Sequence, residues 1–234
     1  MLDKGTSVAA ATALLDAGEP YIDIWKLGWG TAYVDPGLAG KVDLLARRGV
    51  LSCLGGTMLE IAWTRGKATE CLAWARDVGL AAVEVSRGVA TMTLAEKREL
   101  IRAASRSFTV FSEVGRKDAQ EDLSQQQWAD EIGSDRDAGA QWVIAEGRES
   151  GSVGIYREDG SVRADIVAAI VQAAGVEAVL FEAPRKDQQA WFIREFGPSV
   201  NLANVALDDA IAVETLRLGL RADTFEPSPQ WLPL

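Results

Sequence analysis

Histidine is absent from all 234 residues. That absence excludes Ser-His-Asp and Cys-His catalysis, and every zinc or iron centre that relies on imidazole. Acid–base work falls to Glu, Asp, Lys, Tyr or Cys. A bound metal must be held mainly by oxygen, which favours Mg²⁺ or Mn²⁺. Cysteine is scarce: Cys53 and Cys71 make no CxxC pair, and each falls in a run that suits core packing. No run of about 18 apolar residues is present, and no charged leader opens the chain. The expected setting is therefore the cytoplasm, with no membrane partner. No Gly-x-Gly-x-x-Gly follows a first strand and there is no P-loop, which weakens the dinucleotide and NTPase readings. Positive charge is in deficit. The 24 Lys and Arg against 34 Asp and Glu leave a net charge of −10, so a nucleic-acid backbone is repelled.

What is present has ordinary globular composition, 48% hydrophobic and 25% charged. Strand-like runs at 21–28, 50–54, 80–86, 108–117, 141–146, 176–183 and 199–202 alternate with helical stretches. The helical stretches lie at 7–17, 37–48, 59–78, 94–106, 125–138, 164–174, 187–196 and 207–220. Runs such as 143–145 and 179–181 are apolar throughout, as parallel strands buried on both faces are. Repeated βα units over this length predict a (β/α)₈ TIM barrel, one domain over 1–234. Only Met1 and Leu2 precede Asp3-Lys4-Gly5, which predicts a shortened or missing first strand. Gly66 breaks the 59–78 stretch, 94–106 reads as an exposed charged helix, and 118–124 as a polar loop. Asp159-Gly160 predicts a small β-hairpin excursion after the sixth strand. Pro227, Pro229 and Pro233 make the tail from about 226 non-helical.

Barrels of this kind carry their chemistry at the C-terminal strand ends. Those ends are Lys26, Glu84, Glu113, Glu146, Glu182 and Asn204. Four consecutive strands thus finish in glutamate, and such carboxylates repel one another unless cations sit among them. Arg87, Arg116, Lys117, Arg148 and Arg185 follow within a few residues. Two readings stand: a self-neutralising ring of ion pairs, or a divalent metal with an anionic substrate. Lys117, just past Gly115, is the candidate for proton transfer. Asn204 and nearby backbone N–H groups suit a phosphate.

A set of motifs then runs the length of the chain: Asp3-Lys4-Gly5, Lys26-Leu-Gly-Trp-Gly-Thr31, Gly55-Gly-Thr57, Glu113-Val-Gly-x-Lys117, Glu146-x-Arg-Glu-Ser-Gly151, Phe181-Glu-Ala-Pro184, Val200-Asn-Leu-x-Asn204, and Glu214-Thr-Leu-Arg217 with Gly-Leu-Arg-x-Asp-Thr-Phe225. Together they resemble the phosphosulfolactate synthase family. The resemblance implies Mg²⁺ dependence and a lyase that adds sulfite to C3 of phosphoenolpyruvate, giving (2R)-phospho-3-sulfolactate. That product leads to coenzyme M in methanogens and to sulfolactate in some bacteria. It also implies small anionic substrates and a homo-oligomer. Lys117 and Lys26 take catalytic roles in this reading. Lys4, Arg87, Arg148, Ser150 and Asn204 bind substrate, and Glu84, Glu113, Glu146 and Glu182 hold the metal. Two motifs depart from the family pattern: Ser86-Arg87-Gly88 stands for Ser-Asp-Gly, and Leu54-Gly55-Gly56-Thr57 for Pro-Gly-Gly-Thr. A cation at position 87 leaves room for a related barrel enzyme that uses another nucleophile. The family also resembles a plant heat-stress-associated protein, so a non-catalytic member is a further alternative.

Overall fold

A computed structural model describes residues 1–88, 91–115, 123–148 and 150–225. Its frame is one sheet of eight strands, each parallel to the next and ordered as in the sequence. They are β1 (Leu2–Asp3), β2 (Ile24–Leu27), β3 (Leu51–Leu54), β4 (Ala82–Val85), β5 (Thr109–Val114), β6 (Trp142–Ala145), β7 (Val179–Glu182) and β8 (Leu202–Ala203). The expected shortening of the first strand is seen, yet the ring closes. The Leu2 amide donates to the Val205 carbonyl at 2.8 Å, and Leu2 bridges Ala206 in parallel. This is a (β/α)₈ barrel.

The outer layer is helical: α1 (Val8–Gly18), α2 (Thr31–Val34), α3 (Leu38–Arg47), α4 (Gly56–Thr64), α5 (Ala68–Val78), α6 (Leu94–Ala104), α7 (Gln125–Asp137), α8 (Ala164–Ala174), α9 (Lys186–Phe196) and α10 (Ala210–Arg217). Local chemistry sets their starts. Ser7 caps α1 by accepting from the Ala10 amide, and Thr93 and Ser124 open α6 and α7 with reciprocal capping boxes. Gly66, at φ 66°, separates α4 from α5 as expected. α4 begins at Gly56, with Gly55 as its N-cap.

One expectation is corrected. The α6 stretch is not an exposed helix: Lys97, Leu100, Ile101 and Ala104 are buried. They recur at i, i+3, i+4 and i+7, so a lysine heads the stripe that faces the sheet. The excursion after β6 is present as a single antiparallel bridge between Tyr156 and Val162, around a turn closed by the Gly160 amide donating to the Arg157 carbonyl at 2.8 Å. Gln188 on α9 pins it, donating to the Gly151 and Gly160 carbonyls.

Strand alternation positions the site. Cys53, Ala82, Phe111, Ile144, Leu180 and Ala203 form an apolar floor inside the barrel. On β2, β4, β5, β6 and β7 the residue two further along each strand direction faces the same way. Counting by twos from Ile24, Ala82, Phe111, Ile144 and Leu180 reaches Lys26, Glu84, Glu113, Glu146 and Glu182. A layer of charge therefore lies directly above the floor. Among the described residues no helix is long and apolar enough to cross a membrane.

Candidate active site

The carboxyl end of the barrel opens into a cavity of about 320 Å³. The strand-end residues Lys26, Glu84, Glu113, Glu146, Glu182 and Asn204 line it, together with Arg148 and Ser150. Gly55, Gly56 and Trp29 complete the rim.

Lys26 organises the charge. Its Nζ lies 2.9 Å from Glu84 Oε2 and 3.3 Å from Glu182 Oε1, with its side chain 12% exposed. Burial opposes the charged ammonium, but Glu84, Glu182 and Glu113 outweigh it and hold the Lys26 pKa well above the ordinary lysine value. Lys26 is thus a fixed positive charge and a poor proton donor at neutral pH. The remaining oxygens of its partners are held by main chain. Glu84 Oε1 accepts from the Gly56 amide at 3.0 Å, and Glu182 Oε2 accepts from the Gly147 and Arg148 amides at 3.0 and 3.1 Å. The Arg148 amide also donates to Glu146 Oε1 at 2.7 Å.

These contacts need close backbone approach. A Cβ on Gly56 would meet Ser86 Oγ and lie 2.9 Å from Glu84 Oε1. The three described non-glycine residues at positive φ are Trp29, Arg148 and Asn204, at 54°, 55° and 55°, and all three line the cavity. Such backbone costs about 1–3 kcal/mol per residue and collects at functional sites. Asn204 Oδ1 is buried with no protein donor among the described residues, which leaves it for a ligand.

Several predicted residues stand elsewhere. Arg87 does not line the mouth. It turns outward onto α7, where Nε and Nη2 each lie 3.2 Å from a Glu131 carboxylate oxygen. The cation at this departure from the family pattern is therefore paired with a helix carboxylate. Lys4 is exposed, with its ammonium 4.8 Å from the centroid of the Trp29 ring, so it reaches the site only through that ring. Ser150 is at the rim, accepting from Ser152 Oγ at 2.9 Å. Lys117 and Arg116, the polar loop up to residue 122, and the tail from 226 lie outside the described residues.

The four glutamates expected to hold a metal all line the mouth. Among the described residues no three acidic or cysteine side chains converge to hold a metal ion. Glu84 and Glu182 are engaged by Lys26, so the ion-pair reading accounts for half of the ring. The donor set still fits Mg²⁺ in a more modest form. That ion is commonly held by one or two carboxylates, its other ligands coming from substrate phosphate and water. Glu113 and Glu146, on adjacent strand ends, are the two that Lys26 does not contact directly.

Sequence reading missed the buried partners behind the mouth: Glu60, which binds Ser86 Oγ and the Gly88 amide, and the group Lys97, Glu131 and Asp135. A signal existed. Trp128, Glu131, Ile132 and Asp135 are the buried residues of α7 and share one helical stripe, where acids are out of place unless paired.

The closed parallel ring with its charged mouth defines a (β/α)₈ barrel protein whose ligand site lies at the carboxyl ends of the strands. A solved structure of 3-hexulose-6-phosphate synthase from Salmonella typhimurium shares that fold, with a TM-score of 0.60 at 14% identity, covering 94% of this chain and 98% of the other. The family model for (2R)-phospho-3-sulfolactate synthase matches residues 1–223. Phosphosulfolactate synthase of Bacillus subtilis is 40% identical over 228 residues, 96% of this chain and 90% of the relative. That of Methanocaldococcus jannaschii is 40% identical over 231 residues, 96% of this chain and 92% of the relative. The chain belongs to the phosphosulfolactate synthase family.

Proposed function

We propose that this protein is a carbon–sulfur lyase that adds sulfite to C3 of phosphoenolpyruvate, with Mg²⁺, to give (2R)-phospho-3-sulfolactate. The observation that carries the reading is the mouth itself. A small cavity holds the half-buried Lys26 ammonium among strand-end carboxylates, in a chain that matches the synthase family over 1–223.

The chemistry suits a site without histidine. Sulfite sulfur is already a good nucleophile and needs no base. The new C–S bond forms at C3, the C2–C3 π pair shifts to C2, and C2 takes a proton; no oxidant or reductant enters. The obstacle is charge, since two anions meet and electron density builds beside a carboxylate. Lys26 and Arg148 supply positive charge around the cavity, and the Asn204 side chain lines it beside them. Glu113 and Glu146 are the residues that would hold Mg²⁺, which supplies Lewis-acid neutralisation of substrate oxygens when bound. Lys117 is the proposed donor of the proton to C2. Lys26 is not, because its carboxylate neighbours hold its proton.

The pairing of Arg87 with Glu131 supports the sulfite reading over one with a different nucleophile. The same reading carries a cytoplasmic location and a homo-oligomer, the latter checked by sedimentation. The test of function is incubation with phosphoenolpyruvate, sulfite and Mg²⁺, followed by ³¹P NMR and mass spectrometry. The expected product is one phosphorylated sulfonate without release of inorganic phosphate, lost on chelation. Absence of that product at high enzyme concentration overturns the proposal.

A further inference from the structure

A cluster of buried charge on the outer face of β5, directly behind Glu113, has no part in the reaction so far. Lys97 on α6 is fully buried. Its ammonium reaches three acceptors: the Glu113 main-chain carbonyl at 2.7 Å, Glu131 Oε1 at 2.8 Å and Asp135 Oδ2 at 2.7 Å. An ammonium has three donors, so the set is complete. Ser112 Oγ donates to Asp135 Oδ2 at 2.6 Å, and Arg87 brings a second cation to Glu131. Two cations balance two carboxylates. The cluster ties together the segment after β4, β5 itself, α6 and α7.

Stability alone is a weak reason for such a group, because apolar residues of similar volume often serve as well or better. Placement is the stronger reason. The register between β4 and β5 ends at Val85 and Ser112. One residue further on, the Glu113 carbonyl is gripped by Lys97, while the Glu113 side chain lies on the opposite face of the strand, in the mouth. We infer that Lys97, caged by Glu131 and Asp135 with Arg87 behind them, is a positioning residue that fixes where Glu113 and the turn at Gly115 stand in the active site. The effect on turnover rests on the synthase reading above; the effect on the strand end does not.

The test compares the parent with Lys97→Met/Asp135→Leu, which removes one cation and one anion and leaves the Arg87–Glu131 pair. It adds Lys97→Arg, which keeps the charge but not the three-point grip. Amide hydrogen exchange is followed residue by residue, and kcat and KM are measured with phosphoenolpyruvate, sulfite and Mg²⁺. Exchange at Val114 and Gly115 is expected to quicken about 10-fold or more in both variants, with the other strands at parental rates. Turnover is expected to fall about 100-fold, with KM changed far less, as for a misplaced reacting group. Parental exchange at these two amides, or kcat within about 2-fold of the parent in a folded variant, overturns the inference. If the double variant does not fold, Lys97→Arg decides by the same criteria. If the parent makes no sulfonate, the synthase reading fails, and the exchange measurement alone decides whether Lys97 positions the strand end.

Discussion

At the scale of single residues, Lys26 is the keystone of the mouth. Its ammonium faces Glu84 and Glu182, both buried. Lys26→Met leaves two buried carboxylates without their cation, and the expected loss is about 3–5 kcal/mol in urea unfolding. Adding Glu84→Gln should return part of that stability while synthase turnover stays low. If the double variant regained turnover, Lys26 would be an internal counter-ion with no part in the reaction. Period-two alternation made Lys26 and the four glutamates legible in the sequence, since each continues the inward phase of an apolar strand. Their division of labour was not legible. A glutamate in a sequence does not reveal whether a lysine two or more strands away has taken its oxygens. Arg87 is the same lesson in reverse: its nearness in sequence to Glu84 suggested the mouth, and its side chain turned to Glu131 on α7.

At the scale of elements, β5 carries the most constraint. It is the longest strand, it ends in Glu113, and its outer face is gripped by Lys97. Gly115 follows at φ 128°, and a Cβ there would lie 2.6 Å from Glu146 Cβ and 2.8 Å from the Trp128 ring. Gly115→Ala therefore combines a backbone penalty with overpacking, and the expected cost is about 3 kcal/mol. Thermal unfolding checks it; a shift smaller than that of a Gly133→Ala control, where a Cβ would meet nothing within 4 Å, would contradict the packing described. Most elements were readable because short apolar runs and capped, striped helices repeat regularly. α6 was misread because its charged residues were counted and their phase was not. Lys97 sits on the buried stripe, and only the phase distinguishes it from its solvated neighbours.

At the scale of the whole molecule, buried charge makes stability depend on pH at both ends. Burial opposes ionisation of Asp3 and Glu131, but Lys41 with main-chain and Trp25 donors at Asp3, and Lys97 with Arg87 at Glu131, outweigh it and lower both pKa values. The folded state then binds fewer protons than the unfolded chain, so this stability is complete above the unfolded carboxylate range and drains away below about pH 4. Burial raises the Cys53 thiol, and the carboxylates around Lys26 raise its ammonium, so the alkaline limb has the opposite sign. There the stability is full below the unfolded thiol value and declines as pH climbs past about 8.5. Burial lowers the Met1 amino group to about 5, so urea midpoints should still climb from about pH 5 to 8 between these limbs, and Cys53→Ala should flatten the first part of the alkaline one. A midpoint rising toward either extreme would contradict the assignment. The barrel class was legible from the repeated βα units; closure of the ring through Leu2 and the segment after β8 was not, because two residues carry no periodicity. The three left-handed residues of the mouth, Trp29, Arg148 and Asn204, reach beyond this chain. Glycine would sit more easily at each of them. Directed evolution for heat resistance with no screen for turnover would therefore drift toward glycine at these positions and return a sturdier barrel whose mouth has lost the side chains of Trp29, Arg148 and Asn204.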